Sequence, residues 1–519
     1  MYFVAPFWRN FLVGGGISLT LAGVLVFLDT QNLLSLEFQF IGAKAIIGAQ
    51  GPDPRLSGMG FTFPPFLIYL TLLLDSPIST QTLLGTSLIG LMIWLVGQCQ
   101  FSWGWRVMIL ISLLVNPAFL IMLMTSPTWT AISLFLGLST LLYWHLIHPR
   151  DPKYPLSVNL VLLGLTLAPL VLLRYEFWFL LPIFMMISWF SMPVSNHELR
   201  STTVLVTCFM SIIAIAGFLY VNWLISDDPL YFLHTSGNGL RWPSMEFLLQ
   251  SASGLNALWF SLTWLAQMLP AYYVAGALIF YQIYQNRNFL VAKILIMALP
   301  VFVLILLFWQ NNFLPQAAIF GAFSILIPVA LLQLPKVKFI GLIVIGLIFS
   351  NILTGSWLNL NHFIPDESLV WRQITQQSLP KTGVIFRWRQ RQLDQQEISD
   401  ILFRRLRPGQ KILLDDAVNF SFVYLLHDSH LFILPHQYEF NLALNQPEEM
   451  VDYILVRRNV SIQPMPDRVF NPDSFQQDAS PKPNAGRRRR ATLPFDDGDL
   501  FNHFEVIASN TFYQLFQRL

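Results

Sequence analysis

Charge is scarce in this chain. Lys, Arg, Asp and Glu make up 12% of its 519 residues, while 54% are hydrophobic. Water-soluble domains carry about 25% charged residues, so a single soluble globule is excluded. The formal net charge is +2, which is too small to attract nucleic acid. There are two cysteines, Cys99 and Cys208, both inside apolar runs. They provide neither a disulfide framework nor a zinc site. The sequence has no P-loop, no G-x-S-x-G, no H-E-x-x-H, no G-x-G-x-x-G and no internal repeat. The familiar nucleotide, serine-hydrolase and zinc-protease signatures are therefore missing.

Long apolar runs are what the chain has instead. A run of roughly 17–25 such residues spans a bilayer. Eleven are expected: 11–28, 81–98, 105–124, 129–147, 157–173, 177–193, 203–225, 256–283, 291–309, 316–334 and 338–354. The N-terminal run lacks a small-x-small cleavage site and reads as an uncleaved first span. The run 64–75, PPFLIYLTLLLD, is shorter and reads as a helix lying at the interface. With the N-terminus inside, the inner connections hold Arg9, Arg106, Arg150, Lys153, Arg200, Arg287, Lys336 and Lys338. The outer ones hold Lys44, Arg55, Arg174 and Arg241. This bias follows the positive-inside rule. It places an odd-spanned chain's tail outside, in the periplasm or the extracellular space.

Polar residues return after about 355. ISDILFRRLRPGQ reads as an amphipathic helix, KILLDD, HLFILP and DYILVRR as strands, and FEVIASNTFYQLFQRL as a hairpin. That alternation predicts a small α/β domain over 355–519. Residues 461–498, rich in Pro, Asp, Asn and Gln with four consecutive arginines, read as a disordered insertion. The predicted fold class is thus a polytopic α-helical membrane protein, 1–354, with a soluble C-terminal α/β domain on the outer face.

The few charges among the spans gather in three places. The first outer loop, 29–80, carries Asp29, Glu37, Asp53 and Arg55. Glu37 falls on a plausible helix, LEFQFIGAKAIIG, and Asp29 where the first span leaves the bilayer. A carboxylate there can take a proton from a hydroxyl or hold a sugar hydroxyl; it can equally be a solvated helix end. Arg174-Tyr175-Glu176 interrupts about 35 apolar residues. A guanidinium at headgroup level suits a phosphate, although Arg174 and Glu176 could simply pair. The long loop 226–254 brings Asp227, Asp228, His234 and Arg241; a loop of this length is commonly functional. The segment 116–130 ends in Thr125, Ser126, Thr128 and Thr130, without an acid. In the tail, Asp415, Asp416, His427, His430 and His436 match no metal-ligand spacing.

These residues resemble those of the GT-C glycosyltransferases, most of all the protein O-mannosyltransferase and aminoarabinose transferase group. The segment GAKAIIGAQGPDPRLSGMGFTFPPFLIYL is similar to that group's first outer loop. LGLTLAPLVLLRYEFWFLLP is similar to its mid-chain pattern, and RPGQKILLDD, VDYILVRR and FYQLFQR to its soluble tail. The resemblance implies a sugar donor linked to polyprenyl phosphate and a lipid, glycan or protein acceptor, with membrane lipid around and no nucleic acid. It places the catalytic acid at Glu37, with Asp29 second, and the phosphate on Arg174. Arg241, Arg55, Glu176 and Asp53 are candidate substrate-binding residues. No cofactor or protein-bound metal is specified, and room is left for a divalent cation. The group's first-loop acid is typically Asp, often followed by Glu, and its second loop often carries an acid; here a lone Glu37 and Thr-Ser-Pro-Thr-Trp stand there. The expected activity is inverting glycosyl transfer at the outer face of a bacterial inner membrane. The alternatives are a non-catalytic lipid-binding scaffold or transporter, and a polysaccharide polymerase or ligase.

Overall fold

The computed structural model describes residues 4–51, 65–147, 156–192, 197–234, 252–285, 289–310, 313–314, 316–332, 340–360, 364–458 and 503–519. The chain forms two compact units. One comprises Met1–Ala45 and Gly60–Trp371, the other Ile46–Met59 and Arg372–Leu519.

The first unit is helical. Helix α1, Val4–Thr30, stops where Asn32 takes a left-handed conformation at φ 51°. Leu33 N–H then bonds Leu28 O at 2.8 Å, and Asn32 N–H bonds Asp29 O at 2.8 Å. This paired closure consumes carbonyls that the helix end leaves over, and Asn tolerates the required φ. Four residues later α2 begins, Leu36–Gln50, over the stretch where a helix was expected. The short apolar helix α3, Pro65–Leu74, follows the two prolines.

Two stretches expected as single spans are bent. Residues 105–124 form α4's successors: after α4 (Pro77–Gln98) come α5 (Trp103–Leu114) and α6 (Pro117–Thr125), which meet at 55°. Pro117 cannot continue α5 but suits a first helical turn. The Asn116 side chain accepts from Phe119 N–H at 3.2 Å and donates to Asn351 Oδ1 at 2.9 Å. Helix α7, Pro127–Ile147, follows at once, then α8 (Leu156–Leu173), α9 (Glu176–Phe190) and α10 (His197–Ser226). The short α11, Tyr231–His234, precedes α12, Gly254–Met268. A 110° bend at Leu269-Pro270 separates α12 from α13, Ala271–Gln285.

Helix α14 covers Leu290–Trp309. The expected span 316–334 forms two short helices, α15 (Ala317–Phe323) and α16 (Leu326–Leu331). Helix α15 packs on α6 so closely that a Cβ on Gly321 would stand 2.4 Å from Ala118 O. Helices α17 (Ile340–Leu360) and α18 (Pro365–Ile374) complete the series. Among the described residues six helices are long and apolar enough to cross a bilayer, or up to eight if each bent pair is one span. Four shorter apolar helices accompany them, so length and composition do not by themselves confirm eleven.

The second unit holds helix α19, Val384–Arg405, and a five-stranded sheet. Its strands are β1 (Ile412–Leu413), β2 (Phe432–Ile433), β3 (Tyr453–Arg457), β4 (Phe504–Ser509) and β5 (Tyr513–Arg518), in the order β2-β1-β3-β5-β4. The first three pair in parallel; β5 joins β3 and β4 antiparallel. Helix α20, Asp416–Leu426, follows β1, as a parallel crossover requires. Leu413, Ile433, Ile454 and Phe516 share one buried cluster. The expected strands and hairpin are all present, whereas α19 begins well before the 398–410 stretch. The insertion 461–498 lies outside the described residues.

Candidate functional site

The site begins with Glu37. It stands in the first turn of α2, where a carboxylate complements the positive end of the helix. Its side chain meets the N-terminus of a second helix. Glu37 Oε1 accepts from Thr128 N–H at 2.6 Å and Oε2 from Ser126 Oγ at 2.7 Å. Ser126 in turn accepts from Trp129 N–H at 3.3 Å and caps α7. The polar end of 116–130, which has no acid of its own, thus receives its acid from the first loop. Glu37 keeps part of its surface accessible. Burial pushes its carboxyl above the ordinary range, against the opposing pull of the Thr128 and Ser126 hydrogen bonds and the Arg174 charge.

Arg174 follows the last residue of α8 and is buried, at 8% exposure. Its Nη2 donates to Glu176 Oε1 at 2.7 Å and its Nε to Glu176 Oε2 at 3.1 Å. The pairing considered for these two residues is therefore made, in the two-pronged geometry that guanidinium and carboxylate favour. The guanidinium lies 5.2 Å from the Trp129 ring centroid. Trp129 is the residue after Thr128, so α7 carries both the ring under Arg174 and the N–H on Glu37. Five N–H groups belong to a guanidinium; the Glu176 contacts use the Nε–H and one on Nη2, leaving three for another oxyanion.

Two further acids join these from a part of the sequence read as soluble tail. Asp366 Oδ2 accepts from Leu36 N–H at 3.0 Å, at the start of α2. Glu367 Oε2 and Oε1 accept from Ala317 N–H at 2.8 Å and Ala318 N–H at 3.0 Å, at the start of α15. Both acids are buried. Burial, with Asp366 and Glu37 nearby, raises the Glu367 carboxyl to about 7 although the two N–H groups pull the other way. Three helix N-termini (α2, α7 and α15) are thus each held by a carboxylate from another element. The signal available in the sequence was Asp-Glu directly after Ile-Pro at the end of the last apolar run, a position suited to a helix first turn.

Asp29 sits half-buried in the last turn of α1, eight positions before Glu37. Asp53, Arg55 and Arg241 lie outside the described residues. Glu37, Arg174 and Glu176 are brought together. Among the described residues no three His, Cys, Asp or Glu side chains gather as a metal-binding group.

No family model matches the chain, and no curated protein matches it. A solved structure does: ArnT from Cupriavidus metallidurans bound to undecaprenyl phosphate. It superposes with a TM-score of 0.54 over 99% of this chain and 99% of that one, at 11% identity. The chain shares the fold of that structure. The Archaeoglobus fulgidus oligosaccharyltransferase in its apo form gives a TM-score of 0.39 at 14% identity, over 85% of this chain and 69% of that one; at that value it adds no weight. A fold like that of an aminoarabinose transferase, expected from the first loop, the Arg174 pattern and the tail, is therefore present, at an identity too low to carry residue roles across.

Proposed function

We propose that this chain is a glycosyltransferase that moves a sugar from a polyprenyl-phosphate donor to an acceptor hydroxyl, with inversion, at the outer face of a bacterial inner membrane. The observation that carries this reading is the placement, within a GT-C fold, of the carboxylate of a partly exposed residue, Glu37, in the electrostatic field of a buried arginine, Arg174. The solved structure with that fold holds undecaprenyl phosphate, the kind of donor lipid proposed here.

In this mechanism the acceptor oxygen attacks the anomeric carbon from the face opposite the phosphate. Its proton passes to Glu37, whose raised affinity for protons brings it nearer the ideal for a base at neutral pH. The bond from anomeric carbon to phosphate oxygen breaks, and the electron pair leaves with the polyprenyl phosphate. Arg174 receives the developing charge through the N–H groups that Glu176 does not use; such fixed donors are often the largest catalytic term. Glu176 holds the guanidinium in orientation, and Ser126 and Thr128 hold Glu37. In this reading the N-terminus is cytoplasmic, the C-terminal unit is periplasmic or extracellular, and Asp29 from the end of α1, with Asp53, Arg55 and Arg241, serves acceptor or donor.

The test combines binding and turnover. Purified protein in nanodiscs with undecaprenyl phosphate should show phosphate density within about 3 Å of Arg174 nitrogens. Arg174→Ala should lose that density and the transfer activity. Glu37→Gln should keep the lipid and lower the transfer rate by about 10²–10⁴, as loss of a general base does. Transfer at the wild-type rate by both variants would overturn the assignment. The Arg174–Glu176 pair favours a second reading, a lipid-binding scaffold in which the arginine is structural. Lipid density that survives Arg174→Ala, with no transfer by the wild type from any polyprenyl-phosphate sugar of the host membrane, would select it.

A further inference from the structure

Helix α19 carries Trp388, Arg391 and Gln395 at spacings of three and four, hence on one face. That face meets Tyr513 at the start of β5. The Tyr513 hydroxyl accepts from Arg391 Nε at 3.1 Å and from Gln395 Nε2 at 2.7 Å. A hydroxyl oxygen has two lone pairs and one proton; with both pairs engaged, the Tyr513 O–H is left as a donor. Arg391 is 3% exposed, lies 5.2 Å over the Trp388 ring, and its Nη1 is buried without a hydrogen-bond partner.

A second arginine converges on the same ring. In the antiparallel pairing of β3 and β5, Arg457 stands directly opposite Tyr513. Opposed residues project from the same face of a sheet with Cβ atoms about 5 Å apart. Arg457 is half-buried. Burial first, and then the neighbouring Arg391 charge, bring it down to about 10, so it stays cationic at neutral pH. The Tyr513 hydroxyl pulls it the other way. Among the described residues neither Arg391 nor Arg457 forms an ion pair. The buried Asp394, one turn along α19 from Arg391, accepts instead from Phe512 N–H at 3.3 Å and Gln390 Nε2 at 2.7 Å. Two neighbouring cations, one buried and one half-buried, without an ion-pair partner oppose folding unless an anion joins them.

We infer that Arg391, Arg457 and the Tyr513 hydroxyl form a phosphate-binding site in the C-terminal unit, distinct from Arg174. A phosphate dianion matches the two guanidinium charges, its oxygens match their forked N–H groups, and one oxygen can accept from Tyr513. The chemistry is shared by inorganic phosphate and by the head of a prenyl or saccharide phosphate monoester. All the side chains belong to the unit formed by Ile46–Met59 and Arg372–Leu519, so the site does not rest on the glycosyl-transfer reading.

Equilibrium dialysis of the full-length protein in detergent, with radiolabelled inorganic phosphate and chloride at matched ionic strength, tests this. One saturable phosphate per chain is expected. Arg457→Gln, at the more accessible of the two arginines, should weaken binding by at least about tenfold, the value of one charge-assisted hydrogen bond. Arg457→Lys should restore part of it. Both variants should keep the wild-type circular dichroism, and without phosphate Arg457→Gln should melt at or above the wild-type midpoint, since it removes one of the two opposed charges. Competition by a water-soluble short-chain isoprenyl phosphate would identify a lipid head as an occupant; failure to compete would identify free phosphate. Absence of saturable binding overturns the inference. So does binding that survives Arg457→Gln, above all if Arg174→Ala removes it.

Discussion

A carboxyl that titrates near 7 inside a protein links its stability to pH. In the unfolded chain Glu367 ionises near its ordinary 4.5, and in the folded chain near 7. The folded state therefore holds the proton more tightly. Its contribution to stability is complete below about pH 4.5 and is lost as the pH rises through 7. The difference corresponds to roughly 3 kcal/mol in order of magnitude. The thermal midpoint in detergent should accordingly fall between pH 5 and pH 8. Glu367→Gln, neutral throughout and still able to accept from Ala317 or Ala318, should flatten that slope; an unchanged slope would remove Glu367 as its source. Asp366 and Glu37 act on the same carboxyl and will broaden the transition. Residue by residue, the sequence was uneven as a guide. Glu37 stood out as a lone acid on an apolar helix, and Arg174 as a lone cation between spans. Glu367 did not, because it follows the return of polar residues and its partners, the N–H groups of Ala317 and Ala318, are some fifty positions away. Backbone donors leave no mark in composition.

The bent helices show why element boundaries were harder to read than element existence. Hydropathy runs unbroken across Leu269-Pro270, so one span was expected where the chain turns by 110°. The break is possible because helix α17 supplies what it leaves over. Ser350 Oγ accepts from Ala271 N–H at 3.0 Å, and Thr354 Oγ1 donates to Met268 O at 3.1 Å. An apolar surrounding tolerates a freed backbone group where a neighbouring hydroxyl meets it. Both hydroxyls are fully buried. Ser350→Ala should therefore leave Ala271 N–H unmet and destabilise the membrane unit by about 1–3 kcal/mol, and Thr354→Val should do so by a similar or smaller amount. Thr354 also donates to Ser350 O at 2.9 Å, so the two changes share one network and should not add. Unfolding midpoints of the two single variants and the double variant in mixed micelles measure this; strict additivity would show that the hydroxyls act separately. The same dependence on distant partners explains α5 and α6, where Asn116 is anchored by Asn351.

For the whole molecule, two compact units built on different chemistry should not melt as one. The membrane unit has large apolar side chains facing outward along its helices, such as Leu19, Leu255 and Trp259, and detergent supports that surface. The C-terminal unit buries its apolar residues inside a small sheet core, which urea weakens directly. The return of polar residues after about 355 was legible because hydropathy reports the solvent a segment is built for, while the division between the units falls later, between Trp371 and Arg372. The membership of Ile46–Met59 in the second unit was not, because that stretch lies between two apolar runs and only the tertiary fold assigns it. Urea titration of the full chain in detergent should give two transitions, the first losing the sheet signal and the second the membrane helices. Ile454→Ala, at a fully buried position of β3, should lower the first by about 2–5 kcal/mol, as deleting a core side chain does. It should leave the second in place. Gly321→Ala, which drives a Cβ against Ala118 O, should lower the second by about 1–3 kcal/mol through overpacking and leave the first. One transition moved by both substitutions would mean that the units fold as a single cooperative body, because two-state coupling transmits a change in either core to the whole.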